Sequence, residues 1–370
     1  MLLQGFVPFS QSPMVAEQFN PIVFDCGSSS VRVGWSGHDQ PKIVESRRDR
    51  VTEYDHKRRE WVLEKDSLGS LTETLLYSQR GRQTNQFEHP VIATIPTNVP
   101  PGYKQAYYEH FMEAAQVPAV FLGDTTVLSL YAVGRVGGVC ADLGASHTSV
   151  SQVEKGRVAH SNTYTICGDS ISQFVLSRLE SALPAEDQLL RMNLVRDIKH
   201  AACKCSHFAL PPVSPSGARV ARGNRKSAPV ASPTSKGSAA EAVLLKLPDG
   251  SEIDVSSVSE YAAESLFVSS SECPGGVAGA VAEVSMRQEG EFVLLTGGTS
   301  HVHGLHSRLL NELEAKEAKA SVFPFCQWTH RNHSGFVGAS ILASLSSFSS
   351  LWVTPASYHE NGVDRIIGLK

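Results

Sequence analysis

No apolar run in this 370-residue sequence comes near the roughly 20 residues that a helix needs to cross a bilayer, so no membrane contact is expected. The start, Met1 to Pro13, lacks the cationic lead and long apolar centre of a secretory signal, which points to a soluble protein kept inside the cell. Cysteine is scarce. Its seven residues, an odd number without four-ligand spacing, suit reduced and mostly buried thiols rather than a disulfide framework. Cys203 and Cys205 are too sparse a pair for zinc. Charge of one sign is equally scarce: 33 Lys and Arg against 37 Asp and Glu give a net charge of -4. That balance excludes a protein whose whole surface grips nucleic acid or an anionic membrane, and any basic contact must be local.

Apolar material is ample, at 41% of residues, and at about 150 residues per domain the length suggests two or three domains. After a polar lead (residues 1–20), Pro21 to Asp25 is predicted as a buried strand. The chain turns at Gly27 to Ser30 and returns as a second strand, with Val31, Val33 and Trp35 alternating with Arg32 and Gly34. The charged stretch Asp39 to Glu60 offers little to bury and is expected to be a small, mobile excursion. Trp61 to Tyr77 carries a helical apolar period. Val91 to Ile95 is expected as a strand, Tyr103 to Ala115 as a helix, Ala119 to Leu122 as a strand and Thr125 to Val133 as a helix. A second strand, glycine turn and strand follow at Gly137 to Thr148. Two Asp-x-Gly turns 117 residues apart, in a chain alternating strands with helices, predict an α/β class with an internal duplication. Phe292 to Leu295 is expected as a further strand, Gly304 to Leu313 as a helix and Phe336 to Leu351 as a last helix, rich in Ser and Ala.

Three glycine turns thus follow three apolar strands: Asp25-Cys26-Gly27-Ser28, Asp142-Leu143-Gly144-Ala145 and Gly297-Gly298-Thr299. Amides at such corners can approach phosphate oxygens closely, and paired aspartates can hold a divalent cation through its waters. A single Asp-x-Gly is an ordinary strand-ending turn, but three in this order are more specific. The sequence resembles the actin and actin-related protein family over most of its length. Val23 to Ser28 with Val31 to Gly34 is similar to that family's first phosphate loop, and Asp142 to Thr148 to its second. Thr296 to Gly304 resembles the adenosine loop, Val195 to Lys199 the adenine-side helix, Leu247 to Gly250 a following hairpin, and Gly338 to Leu345 the C-terminal helix.

The resemblance implies an actin-like two-lobed α/β fold with duplicated ribonuclease-H-like βββαβα cores and ATP or ADP with Mg2+ in the cleft between lobes. The boundaries would be 21–133 for the first lobe, with a shortened outer subdomain at about 42–60, and 134–335 for the second, with 336–370 returning to the first. Asp25, Gly27, Ser28, Arg32, Asp142, Gly144, Gly168, Lys199, Gly297 and Gly298 would bind the nucleotide, and Asp25 and Asp142 the water shell of Mg2+. Departures from the family pattern argue against hydrolysis. Thr125 stands where actin has the glutamine that positions the attacking water, the second loop is shortened, and Ala145 replaces an aspartate. Arg32 replaces a lysine, with a different donor geometry, and a lysine is missing near Asn332. Only 48 residues separate Pro41 from His89, much less than in actin, so filament contacts are expected to be lost.

Within the family the compressed second loop, the Val-Phe-Asp-x-Gly-Ser start and Phe121-Leu122 before Thr125 most resemble the nuclear class found in chromatin remodelling and histone acetyltransferase complexes. That resemblance implies a nuclear scaffold subunit pairing with actin or another actin-related protein on a helical segment of a remodeller ATPase or acetyltransferase scaffold. The alternative is a cytoplasmic, cytoskeletal actin-like ATPase, or a subunit of a dynein-activating or actin-nucleating assembly. Tyr131, Ile341, Leu342 and Leu345 would line a groove for a partner helix, although the spacing of 341, 342 and 345 suits core burial equally. The Pro, Ser and basic segment 211–240 is expected to be a disordered insertion: a solvated tether, a histone or DNA contact, or a phosphate acceptor at Ser214, Ser227, Ser232 or Thr234. His301, His303 and His306 lack nearby Cys or carboxylate partners and are expected to be solvated or packed rather than metal-bound.

Overall fold

The computed structural model describes residues 20–46, 50–77, 89–183, 187–211, 243–247, 250, 252–286, 292–318, 321–322 and 331–368. The polar lead and the 211–240 insertion, with its phosphate-acceptor candidates, lie outside the described residues apart from Asn20 and Pro211. No helix among the described residues is long and apolar enough to cross a membrane.

The strands are β1 Ile22–Cys26, β2 Ser30–Trp35, β3 Ile43–Ser46, β4 Thr52–Asp55, β5 Glu60–Leu63, β6 Val91–Ile95, β7 Val120–Asp124, β8 Gly138–Leu143, β9 Thr148–Glu154, β10 Arg157–Tyr164, β11 Leu244–Lys246, β12 Glu252–Asp254, β13 Phe292–Thr296 and β14 Ser321–Val322. Two five-stranded sheets dominate, ordered β3-β2-β1-β6-β7 and β10-β9-β8-β13-β14. In each, three strands meander antiparallel and two more add in parallel. The duplication reaches individual residues. Asp25, near the end of β1, lies opposite Thr94 of β6, and Asp142, near the end of β8, lies opposite Thr296 of β13.

Burial follows the sheet positions. All five residues of central β1 are buried and so are all five of β6, as expected for strands covered on both faces. Each sheet packs its own core: Phe24, Val33, Leu68, Tyr107 and Phe111 on the first, and Val139, Ile171, Val175, Ile198, Val281 and Leu295 on the second. The helix Ser334–Ala343 returns to the first sheet, where Phe336 and Ala339 join Val23, Ile92 and Leu128. It approaches the helix Thr125–Tyr131 so closely that a Cβ on Gly338 would overlap the Leu128 carbonyl oxygen. Ser129 and Ser334 share a 2.8 Å hydrogen bond across the same contact. Tyr358 is buried in the first core, and Val353 bridges to Val120.

Four expectations need correction. Residues 39–60 contain ordered strands: β3 extends the first sheet, and β4 and β5 form a hairpin. Its charges lie outside while Val51, Tyr54 and Trp61, spaced among them, are buried. Trp61 belongs to β5, and the helix begins at Lys65. The helix expected to be the last stops at Ala343, and two short helices, Pro355–Asn361 and Val363–Ile366, come after it: Leu345 is extended and a short 3-10 turn follows at Ser346–Leu351, in a serine-rich stretch whose hydroxyls bond back to their own backbone. The helix expected over 103–115 is helical from Pro101 to Glu109 and widens to a π-turn over His110–Ala114. Strands β11 and β12 form the expected hairpin around Gly250.

Candidate functional site

The turn after β1 and the turn after β8 face each other. The first is closed by Gly27, whose N–H donates to the Ser30 carbonyl at 3.0 Å, and the second by Gly144, which donates to the His147 carbonyl at 2.9 Å. Their tips touch through the Ser28 and Ser146 hydroxyls, 2.7 Å apart and buried. Behind each tip sits an aspartate that the neighbouring parallel strand supports. Thr94 donates to Asp25 Oδ1 at 2.6 Å, and Thr296 donates to Asp142 Oδ1 at 3.4 Å. Arg32, opposite Asp25 in the β1–β2 register, donates to Asp25 Oδ2 at 3.2 Å.

A cavity of about 760 Å³ opens above these corners, and every nucleotide-site residue expected from the sequence lines it except Gly168. Gly168 stands behind the wall, where its N–H donates to the Gly144 carbonyl at 3.0 Å and leaves no room for a side chain beside Thr299. Gly297 needs to be glycine twice over: its φ is +85°, and a Cβ would collide with the Leu143 carbonyl and Asp142 Oδ1. Lys199, from the helix Gln188–Ala202, reaches Gly168 O at 3.3 Å and Ser172 Oγ at 3.0 Å. Burial pulls its ammonium below the ordinary lysine value, with Asp169 opposing the shift. His301 and His303 line the same cavity.

Several contributors were not legible in the sequence. The β4–β5 hairpin straps the opening. Arg50, just before it, donates to Asp169 Oδ2 at 2.7 Å on the opposite side. Trp61 stands edge-on to His147, with ring centroids 4.3 Å apart, and donates from Nε1 to the Thr97 carbonyl at 3.1 Å. His147 is buried, and that burial, with the charge of His56 adding to it, pulls its imidazole down to about 3, so the ring is neutral. Thr94 was invisible because its role exists only through the parallel pairing with Asp25.

The donor set fits a nucleotide with a divalent cation. Burial, reinforced by the nearby Asp25 carboxylate, pushes Asp142 up to about 6, the strain that a hydrated cation between two carboxylates removes. On the upper wall the Asn332 side-chain oxygen is buried without a hydrogen-bond partner among the described residues, an acceptor available to a ligand donor. A model of the family described as Actin matches residues 45–370. The chain belongs to the actin family.

Members of the actin family typically bind nucleotide and Mg2+ in the cleft between lobes, and the two mirrored sheets with facing corners are that fold. In this actin-family chain Thr125 lies on the cleft wall, where its hydroxyl donates to the Ile95 carbonyl at 2.9 Å and its methyl group faces Gly335. The four groove candidates fall together: Tyr131, Ile341, Leu342 and Leu345 are all half-buried on the cluster of Leu128, Phe336 and Phe348, each keeping part of its surface outside.

Proposed function

We propose that this actin-family chain holds ATP or ADP with Mg2+ as a structural ligand, does not hydrolyse it, and acts as a non-polymerising scaffold subunit of a nuclear chromatin remodelling or histone acetyltransferase complex. The observation that carries the non-hydrolysing part is Thr125. Its one hydroxyl hydrogen is committed to the Ile95 carbonyl, so no side chain at this position is aimed at a water near the phosphates.

When bound, the nucleotide and cation bring a triphosphate whose charge must be matched by the cleft. The chain supplies that match from fixed positions. Gly27 and Gly144 spend their own amides closing the corners but carry no Cβ to hold a phosphate away, Arg32 is oriented by Asp25, and Asp25 and Asp142 offer carboxylates to the water shell of Mg2+. Lys199 is held at the cleft wall by Gly168 and Ser172. Binding across two lobes stabilises the closed form by mass action, about 4 kcal/mol at a thousandfold excess over Kd.

Loss of polymerisation is supported by the small outer region, which between Pro41 and His89 contains β3, a two-stranded hairpin and the helix Lys65–Tyr77 among its described residues. The nuclear scaffold role is supported by the motif likeness of the two phosphate loops and by the half-buried apolar patch at Tyr131, Ile341, Leu342 and Leu345, a fit for one face of a partner helix. Purified protein should retain adenine nucleotide, release phosphate at background and remain monomeric by sedimentation with ATP and Mg2+. Rapid phosphate release or nucleotide-dependent filament mass refutes it, as does calorimetry without heat on adding ATP and Mg2+. Affinity purification with mass spectrometry decides the assembly, with remodeller or acetyltransferase subunits expected and dynein-activating or actin-nucleating subunits overturning the assignment.

A further inference from the structure

A second cavity, of about 440 Å³, lies at the ends of β6 and β7, beside Ile95, Leu122 and Asp124, and its volume is in the range of small-molecule sites. Three of its polar side chains have unmet bonding capacity. Asp124 spends a single oxygen, Oδ1, on all its partners: the Thr97 hydroxyl at 2.8 Å and the Thr126 and Val127 amides at 2.9 and 3.4 Å. Its Oδ2 accepts no hydrogen bond among the described residues, and it is not sealed from solvent. Tyr108 is only 7% exposed, yet its hydroxyl also makes no hydrogen bond among the described residues and is likewise open to the cavity. Lys104, on the same wall-forming helix, makes no ion pair among the described residues.

Burial is the main cause that raises the Asp124 carboxyl above its ordinary value, with the Thr97 hydroxyl, the two amides and the charge of Lys104 all acting against it. Partly desolvated groups of this kind, reached by water only through the cavity, can exchange that water for the polar groups of a ligand. A ligand with only a cation is disfavoured by Lys104, and a ligand with only an anion by Asp124. Of the remaining lining only Asn98 is polar, and its amide donates to the Ser161 carbonyl at 3.3 Å; the rest is apolar, with Leu122, Ile366 and Ile367 among it.

We infer that this cavity binds a small zwitterion of the aliphatic α-amino acid class, its ammonium on Asp124 Oδ2 and Tyr108, its carboxylate on Lys104 and its alkyl group on Leu122, Ile366 and Ile367. The site is independent of the nucleotide cleft for binding but shares a wall with it. Pro96 lines both cavities, and Thr97, whose hydroxyl bonds Asp124 and Thr126, lines the nucleotide cleft.

Calorimetry or ligand-observed NMR on the full chain, with leucine as probe, tests this. N-acetyl-leucine lacks the ammonium and leucinamide lacks the carboxylate, so each should bind about tenfold or more weakly, the value of one charge-assisted hydrogen bond. Asp124→Asn keeps an oxygen to cap the following helix while removing the charge, and Lys104→Met keeps the stem. Both should lower leucine affinity by about the same factor, with unfolding midpoints showing that they fold. Absence of saturable leucine binding, with only water in the cavity, overturns the inference. So does binding of either analogue as tightly as leucine, or leucine affinity unchanged in both variants. An ATP titration of the same samples reports on the nucleotide cleft separately, so failure of one site is distinguishable from failure of the other.

Discussion

Ser28 and Ser146, 118 positions apart in the chain, share a hydrogen bond of 2.7 Å, with both residues buried. It joins the tips of two hairpins from different sheets, so it links a local turn to the closure of the whole cleft. Ser146→Ala leaves the Ser28 hydroxyl without that partner and is expected to cost about 1–2 kcal/mol in urea unfolding. The double change Ser28→Ala with Ser146→Ala should cost less than the sum of the two single changes, because one bond is removed and no orphan remains.

Thr125→Ala is expected to leave phosphate release at the wild-type background, because the hydroxyl serves the Ile95 carbonyl and not a water. Thr125→Gln extends an amide into the cleft and should raise single-turnover phosphate release by about tenfold or more. Equal rates in the three proteins would mean that something other than this side chain sets the barrier.

The central strands and the glycine corners were legible because their signals are local: an apolar run, an Asp-x-Gly turn, a second copy further along. The order of the two sheets repeats the duplication that the turns announced. What escaped was non-local. Thr94 and Thr296 acquire meaning only through parallel pairing with Asp25 and Asp142. The β4–β5 hairpin was hidden because its charged residues outnumber the three apolar ones that anchor it, Val51, Tyr54 and Trp61. Average composition hid a strap that individual spacing reveals. The interruption at Leu345 was missed because the apolar and small residues continue without a Gly or Pro stop, and the serines that favour a turn there were read only as small packing residues.

Two glycine substitutions should diverge. Gly338→Ala puts a methyl group into the Leu128 carbonyl at the contact between the two central helices and is expected to destabilise by about 3 kcal/mol or to prevent folding. Gly69→Ala, inside the helix Lys65–Tyr77 with nothing near its Cβ position, should instead stabilise by about 0.5–1 kcal/mol. Thermal unfolding of both variants reads this directly, and a neutral Gly338→Ala would show that the two helices can separate without cost.

Arg50 is the ionic part of the strap. Its guanidinium lies 2.7 Å from Asp169 and 2.8 Å from Glu53. Despite the burial that works against it, its pKa is raised by these two carboxylates, Asp169 foremost. Arg50→Ala should increase the release rate of a fluorescent adenine nucleotide by about threefold to tenfold, and added salt should narrow the difference from wild type. Exchanging the charges, Arg50→Asp with Asp169→Arg, should recover part of the loss. Release rates that ignore all three changes would show that the strap does not limit exit.

His147 gives the cleft a pH dependence of known sign. Its folded-state value of about 3 lies below the ordinary 6.5, chiefly through burial, so the folded protein favours the neutral ring while the unfolded chain takes up a proton near 6.5. The stability that depends on this ring is therefore complete above pH 6.5 and is lost progressively as pH falls toward 3. Between pH 7 and pH 5 the loss from this one group is about 2 kcal/mol. His110, His200 and His301 are also shifted down by burial, so wild-type unfolding alone does not isolate His147. The difference does: His147→Gln removes one titrating ring, and its urea-unfolding stability should fall less steeply than wild type over that interval. Parallel pH profiles for the two proteins would mean that the ring under Trp61 is hydrated in solution and titrates as it does in the unfolded chain.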